Sequence, residues 1–308
     1  MTVVREQFDS LLRPGARKVF VDDYNELPAI YPGIFNVDTS GQAYEDELVV
    51  TGLPIAVKRP EGAPIAMDRP KFRGRVRYIH TGFGLGYEIT REAVEDDVYG
   101  VLNSKGAANL ARSMRESEEV TAHAVINNGF STVLTYDGLS LVNVAHTGVG
   151  ALTFTNRASP DVDLSTTALK GSLERFFDLR TDRDLKISLM PTMLLVPFQN
   201  WFTALEILQT QVVTTTLATD GIESLEASNV ISRQGLAPLK SQYLTDSNAW
   251  WTIINKNSRS YPLQYYWRSK PQDVSGFEGR EQIAWFGILA RNSAGATDWR
   301  GIDGSSGA

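Results

Sequence analysis

The run from Glu92 to Asn128 limits the fold more than any other feature, because it has the spacing of one long amphipathic helix. Apolar residues recur at Val94, Val98, Val101, Leu102, Leu110, Met114 and Val125, the three-to-four spacing that lines one helical face. Thr90 is placed to cap the helix, and Glu92, Glu95, Asp96 and Asp97 load its first turns with negative charge that suits the helix dipole. Asn127-Asn128-Gly129 reads as its stop. Unbroken, the helix spans about 37 residues and about 55 Å at 1.5 Å per residue. Gly100 and Gly106 are the positions where it would bend. So long a helix points to a flat or elongated body.

Upstream, residues 44–58 and 71–80 read as the arms of a long β-hairpin, with Pro60, Glu61, Gly62 and Pro64 at its tip. Arg73, Arg75 and Arg77 alternate and so share one face of the return arm, with Phe72, Val76 and Tyr78 on the other. Seven basic residues fall between Lys58 and Arg77, against two acidic ones. An isolated hairpin of this length is poorly stable. Two readings stay open: a solvated strand face, or an arm that docks on an acidic surface of another subunit. The segment before it, residues 1–40, reads as a short helix from Arg5 to Phe20, broken at Pro14-Gly15, and then an irregular arm punctuated by Pro28, Pro32 and Gly33.

Gly-Phe-Gly-Leu-Gly at 82–86 is a weak match to a dinucleotide loop. Tyr87 stands where a small residue is needed, and the acidic run that follows would repel phosphate. The expectation is a flexible turn. Downstream, Ser165 caps a helix with Leu169, Leu173, Phe176 and Phe177 on one stripe, and residues 199–209 form another. Strands are expected at 187–196, 212–216, 230–231, 250–254 and 283–289, and the Gly/Ser-rich tail from Asp298 to Ala308 is expected to end in mobile chain.

Chemistry is scarce. The 308 residues hold no cysteine and three histidines, which excludes disulfides, thiolate metal sites and cysteine nucleophiles. A net charge of −6 argues against a general grip on nucleic acid. No apolar run is long enough for a membrane helix, and residues 1–12 lack the apolar core of a secretory signal, so the expected site of synthesis is the cytosol. No nucleophile elbow, zinc-protease motif or Walker lysine occurs. His146 follows a turn and is expected to make a structural hydrogen bond. Asp96-Asp97 reads as helix capping in preference to a Mg²⁺ site. No catalytic, cofactor-binding or metal residue is predicted, and the long arms and helix belong to assembly.

The order of segments resembles the major capsid proteins of tailed bacteriophages, of the Hong Kong 97 type, and most of all the head subunit of Mu-like phages. Gly86-Tyr87-Glu88-Ile89-Thr90-Arg91-Glu92, with Glu95-Asp96-Asp97 and Gly100, is similar to the approach to the family's spine helix. Asp137-Gly138 with Ala145-His146 resembles the segment that follows in Mu-like heads. Pro191 to Pro197 and its helix resemble a strand and helix of the axial domain. Leu244 to Trp251 resembles the late axial strand, and Asp298-Trp299-Arg300-Gly301 the closing segment.

The resemblance implies an α+β fold with an N-terminal arm at 1–41, an extended loop at 42–84, a peripheral domain at 85–164 and 266–308 with its spine helix at 92–128, and an axial domain at 165–265. It implies a non-enzymatic subunit of an icosahedral virion shell, assembled in the host cytoplasm. Its partners would be itself in hexamers and pentamers, a portal, a decoration protein, and DNA enclosed without sequence-specific binding; no membrane and no cofactor are implied. Some members carry a cleaved N-terminal scaffolding region. The loop here begins by about residue 42, so a separate scaffold protein is expected. Lys58 and Lys71 lie near the loop, yet nothing marks a cross-linking pair. Contacts between subunits are expected from Lys58, Arg59, Arg73, Arg75 and Arg77 to Glu92, Glu95 and Asp96 of a neighbour. The alternatives are an encapsulin-like compartment of the same fold, an unrelated enzyme, and a tail or decoration component.

Overall fold

A computed structural model describes residues 5–96, 101–149, 152–210, 212–215, 225–258, 260–278 and 280–308. The chain divides into two compact units, the first built from residues 1–45, 77–124 and 264–295, the second from 46–76, 125–263 and 296–308.

The first unit opens with α1 (Arg5–Glu26), α2 (Tyr31–Ile34) and β1 (Asn36–Thr39). The expected break at Pro14 does not occur, and α1 runs through it. Proline removes one backbone donor, and Ala16 and Phe20, one turn apart and both buried, anchor the helix beyond it. β4 (Thr81–Thr90), β12 (Leu263–Glu278) and β13 (Ile283–Ala296) complete a sheet of order β1-β12-β13-β4. β1 runs parallel to β12, and β13 antiparallel to β4 with Gly287 opposite Gly86. The 82–86 glycines are therefore strand, not the flexible turn expected. A side chain at Gly86 would meet the Phe286 carbonyl oxygen at 3.0 Å and the Gly287 Cα at 3.2 Å, so glycine lets the two backbones approach.

Thr90 accepts from the Ala93 amide (3.2 Å), the cap expected of it. The helical stretch is described as α3 (Arg91–Asp96) and α4 (Val101–Asn127); Asp97, Val98 and Gly100 lie outside the described residues. At its 27 residues α4 is about 40 Å long. Ala107, Leu110, Ala111, Met114 and Ala122 are buried along one side of it. Gly106 is a packing position rather than a bend: a Cβ there would meet the Tyr87 ring at 2.8 Å.

In the second unit a sheet of order β10-β7-β11-β14 is built from β7 (Pro191–Pro197), β10 (Ala237–Ser241), β11 (Trp250–Ile254) and β14 (Ile302–Ser305). β10 is parallel to β7, and β11 is antiparallel to both β7 and β14. α5 (Thr166–Phe177) is capped by Ser165, which accepts from Ala168. Leu169 and Leu173 of α5 and Ala204, Ile207 and Leu208 of α6 (Trp201–Gln209) share one buried cluster with Leu194, Val196 and Trp250. Phe177, expected on the buried stripe, is exposed. Residues 231–233 form a 3-10 turn where a strand was expected. The Gly/Ser-rich tail is structured through Ser305, where Trp299, Ile302, Asp303 and Ser305 are buried and β14 pairs with β11. β5 (His146–Thr147) with β6 (Thr153–Phe154), and β8 (Val212–Thr215) with β9 (Leu225–Ser228), are small hairpins.

β2 (Tyr44–Val50) and β3 (Phe72–Ile79) pair as their own two-stranded sheet. Regular pairing is shorter than the arms expected, and residues 51–71 hold no strand. Pro54, Pro60, Pro64 and Pro70 explain it, since each removes a ladder donor.

Candidate assembly surface

The 51–71 loop is closed at its base. The Thr51 amide donates to the Lys71 carbonyl (2.9 Å), and the Lys71 amide to the Thr51 hydroxyl (2.9 Å). Gly62, at φ 76°, turns the tip, where the Arg59 side chain donates to the Ala63 carbonyl. Between base and tip the apolar side chains find little cover: Leu53, Ile55 and Val57 are 52%, 74% and 74% exposed, and Ile65 and Met67 are 69% and 90%. Leu53, Ile55 and Val57 stand at every second position of the chain. So many bare apolar side chains in one short stretch are uncommon on the surface of a monomer.

The basic residues divide. Lys58 and Arg59 sit at the exposed tip. Arg73, Arg75 and Arg77 share one face of β3, as their spacing requires, but each already has a partner in its own chain. Arg73 donates to the Thr147 carbonyl (2.8 Å) and lies 3.8 Å from Asp182. Arg75 lies 3.5 Å from Asp46, and the Arg77 guanidinium sits 3.9 Å from the Tyr44 ring centre. On the other face of β3, Phe72 is exposed and Tyr78 is buried. Lys58, Arg59, Arg73 and Arg75 belong to the second unit, and Arg77, Glu92, Glu95 and Asp96 to the first. Glu92 and Asp96 are exposed; the Glu95 side chain lies outside the described residues.

Each histidine is spent on internal hydrogen bonds. His80 lies between the Ser40 and Ser293 hydroxyls, 3.0 Å from each, and His123 contacts the Glu119 carbonyl at 2.8 Å. His146, expected to be structural, is buried with Nδ1 2.8 Å from Asp137 and Nε2 3.1 Å from the Asn156 side-chain oxygen. Its ring stacks on Trp299 at 4.4 Å. Burial would raise the Asp137 carboxyl, but hydrogen bonds from His146 and Thr135 hold it down at about 2. The hydrogen bonds of His146 go to Asp137 and Asn156, and Asn156 in turn donates to the carbonyls of Leu141, Trp299 and Ile302, tying its own segment to two others.

Sequence reasoning missed a buried charged network. Arg300 donates to Asp182 (2.7 Å), Asp298 (3.1 Å) and the Tyr136 hydroxyl (2.8 Å). Arg175 grips Asp303 with two bonds, 2.6 and 2.7 Å long. Apart from Asp298, two residues from Arg300, the partners of each pair lie more than a hundred residues apart, and no local pattern joins them. Among the described residues no group of three His, Asp or Glu could hold a metal ion, and no helix is long and apolar enough to cross a membrane.

The family model for phage capsid proteins matches residues 78–302. No curated protein matches the sequence. Among solved structures the chain is similar to the procapsid of bacteriophage JBD30 (TM-score 0.52, 16% identity, covering 98% of this chain and 76% of that one). It is also similar to the capsid of a native GTA particle (0.56, 14%, 90% of each). A virus-like particle from Pyrococcus furiosus matches as well (0.53, 10%, 95% and 98%). At these identities the likeness establishes the fold, an α+β capsid fold of the Hong Kong 97 type. With its model spanning most of the sequence, the chain belongs to the phage capsid protein family.

Proposed function

We propose that this chain is the major head subunit of a tailed phage, assembling with copies of itself as pentamers and hexamers into an icosahedral shell around double-stranded DNA, with no chemical step. The observation that carries the reading is the 51–71 loop, whose apolar side chains are exposed in the single chain and would be covered by a neighbour. Burying Ile55 or Val57 fully is worth about 1.5–3 kcal/mol each, and a shell repeats that gain at every subunit. The proposed anatomy is an N-terminal arm at 1–41, the loop at 42–84, a peripheral domain at 85–164 and 266–308, and an axial domain at 165–265.

At the neighbour, Lys58 and Arg59 would meet the acidic residues Glu92, Glu95 and Asp96. Arg73, Arg75 and Arg77 would help only by exchanging their present partners. Exposed ion pairs contribute about 0–1 kcal/mol, so these would set register while the apolar residues supply affinity. Assembly in the host cytoplasm with a separate scaffold protein, a portal and a decoration protein completes the proposal. Mu-like heads are its nearest proposed relatives, on the strength of the Asp137-Gly138 and Ala145-His146 segment.

The likeness to the Pyrococcus furiosus virus-like particle favours a second reading, an encapsulin-like compartment of the same fold. Packaged contents separate the two: DNA for a head, protein cargo for a compartment. Sedimentation of the purified chain beside the double variant Ile55→Asp, Val57→Asp tests the shared claim. Large particles from the native chain and only small species from the variant are expected; equal particle yield from both would sink it.

A further inference from the structure

The loop stem is held by a second device, distinct from its exposed strip. Residues 181–184 make a tight turn beside residues 68–73, within the second unit. The Leu185 carbonyl accepts from the Thr181 amide (2.7 Å), the Thr181 carbonyl from the Asp184 amide (3.0 Å), and Asp184 adopts a positive φ of 65°. The Thr181 hydroxyl accepts from the Arg183 and Leu185 amides (3.2 and 3.1 Å), and Arg180 pairs with Asp184 across the turn. The turn is thus stiff by construction.

It presents two consecutive side chains of opposite charge. Arg183 pairs with Asp68 and also reaches the Arg69 carbonyl (3.3 Å). Asp182 faces Arg73 at 3.8 Å, while Arg73 donates to the Thr147 carbonyl. Asp182 is itself held by Arg300, whose side chain is 6% exposed and braced by Asp298 and Tyr136. The stem is therefore gripped at Asp68 and Arg73, and one grip is anchored in the unit's interior. The Nε atoms of Arg73 and Arg183 are buried without a hydrogen-bond acceptor, so the grip uses only part of the donors available.

We propose that the 181–184 turn is a bracket that fixes the direction in which the 51–71 loop leaves its own subunit, through Arg183 with Asp68 and Asp182 with Arg73. An unbraced loop of this length would sample many exit angles. A closed shell needs each copy to meet its neighbour at a narrow range of angles, so the bracket would act on the uniformity of shell curvature. That consequence rests on the assembly reading above; the bracket itself does not.

The absence of cysteine makes the test direct, because two introduced thiols are the only ones to label. Spin labels at Glu61→Cys on the tip and Asp178→Cys on the body report the loop direction in the unassembled full chain. The expected result is a narrow distance distribution, at least doubled in width by Asp68→Arg or by Arg183→Asp, and narrowed again when both exchanges are combined. The restored double exchange also controls for misfolding. Unchanged width in the single variants, or a double exchange as broad as they are, would overturn the bracket. In electron micrographs the single variants should give shells of mixed diameter and the double exchange uniform ones. Uniform shells from the broad single variants would overturn the link to curvature. No shells in any background would overturn the assembly reading, with the label distances still judging the bracket.

Discussion

Asp137 and Asp303, both in the second unit, respond to burial in opposite ways because their partners differ. Asp137 accepts from His146, Thr135 and the Leu139 amide, and its carboxyl sits at about 2 against an ordinary 3.8. A carboxyl depressed on folding adds stability that is present above about pH 4 and lost as the pH falls through about 2. The shift is worth about 2 kcal/mol at neutral pH. Asp137→Asn should lower the melting temperature of the unassembled chain at pH 6, with the gap from the native chain closing toward pH 2. Asp303 is the reverse case: full burial pushes its carboxyl up to about 6 despite Arg175. Its contribution is complete below about pH 4 and lost as the pH rises through about 6. Removing the cation leaves a buried charge alone, which costs about 3–5 kcal/mol. Arg175→Ala should therefore unfold far more readily at pH 7.5 than at pH 5 in a denaturant titration. The sequence marked His146 as structural because no serine motif accompanies it. It said nothing of Arg175 with Asp303 or Arg300 with Asp182, because those pairs are made by chain segments that meet only in the folded unit.

The elements that the sequence made plain carry their own apolar pattern. α4, β7, α6 and β11 stand close to where apolar spacing put them. β4 was hidden because Gly82, Gly84 and Gly86 leave one strand face without side chains, so alternation has nothing to show. β12 was hidden by its polar outer half and by Pro271, tolerated because β1 pairs only with residues 264–267 and leaves that edge open beyond them. β14 has a buried but polar sequence, and its strand form comes from pairing with β11.

Two helical glycines turn this into a prediction of sign. Gly→Ala in a helix interior gains up to about 1 kcal/mol from propensity, whereas overpacking costs about 1–3 kcal/mol. A Cβ at Gly106 would press on the Tyr87 ring at 2.8 Å, whereas at Gly171 in α5 the nearest neighbour is Arg175 at an ordinary 3.6 Å. Gly106→Ala should lower the melting temperature and Gly171→Ala raise it slightly. Matching shifts would show that the Tyr87 contact carries no weight.

For the molecule as a whole, the family and the fold are those of a phage capsid protein. The proposed place where a neighbouring copy completes it is the exposed 51–71 loop. Replacing Lys58 and Arg59 with Ala should still leave closed shells forming, because exposed pairs contribute about 0–1 kcal/mol each, yet it should weaken the salt dependence of the assembly rate measured by light scattering. A rate with unchanged salt dependence would assign register to other charges.

The most direct test is electron cryomicroscopy of the purified full chain, alone and with a co-expressed scaffold. The account predicts closed icosahedral shells in which residues 51–71 of each copy lie on a neighbour and cover Leu53, Ile55 and Val57. A chain that stays monomeric under every condition, or shells in which that loop folds back on its own subunit, would contradict it.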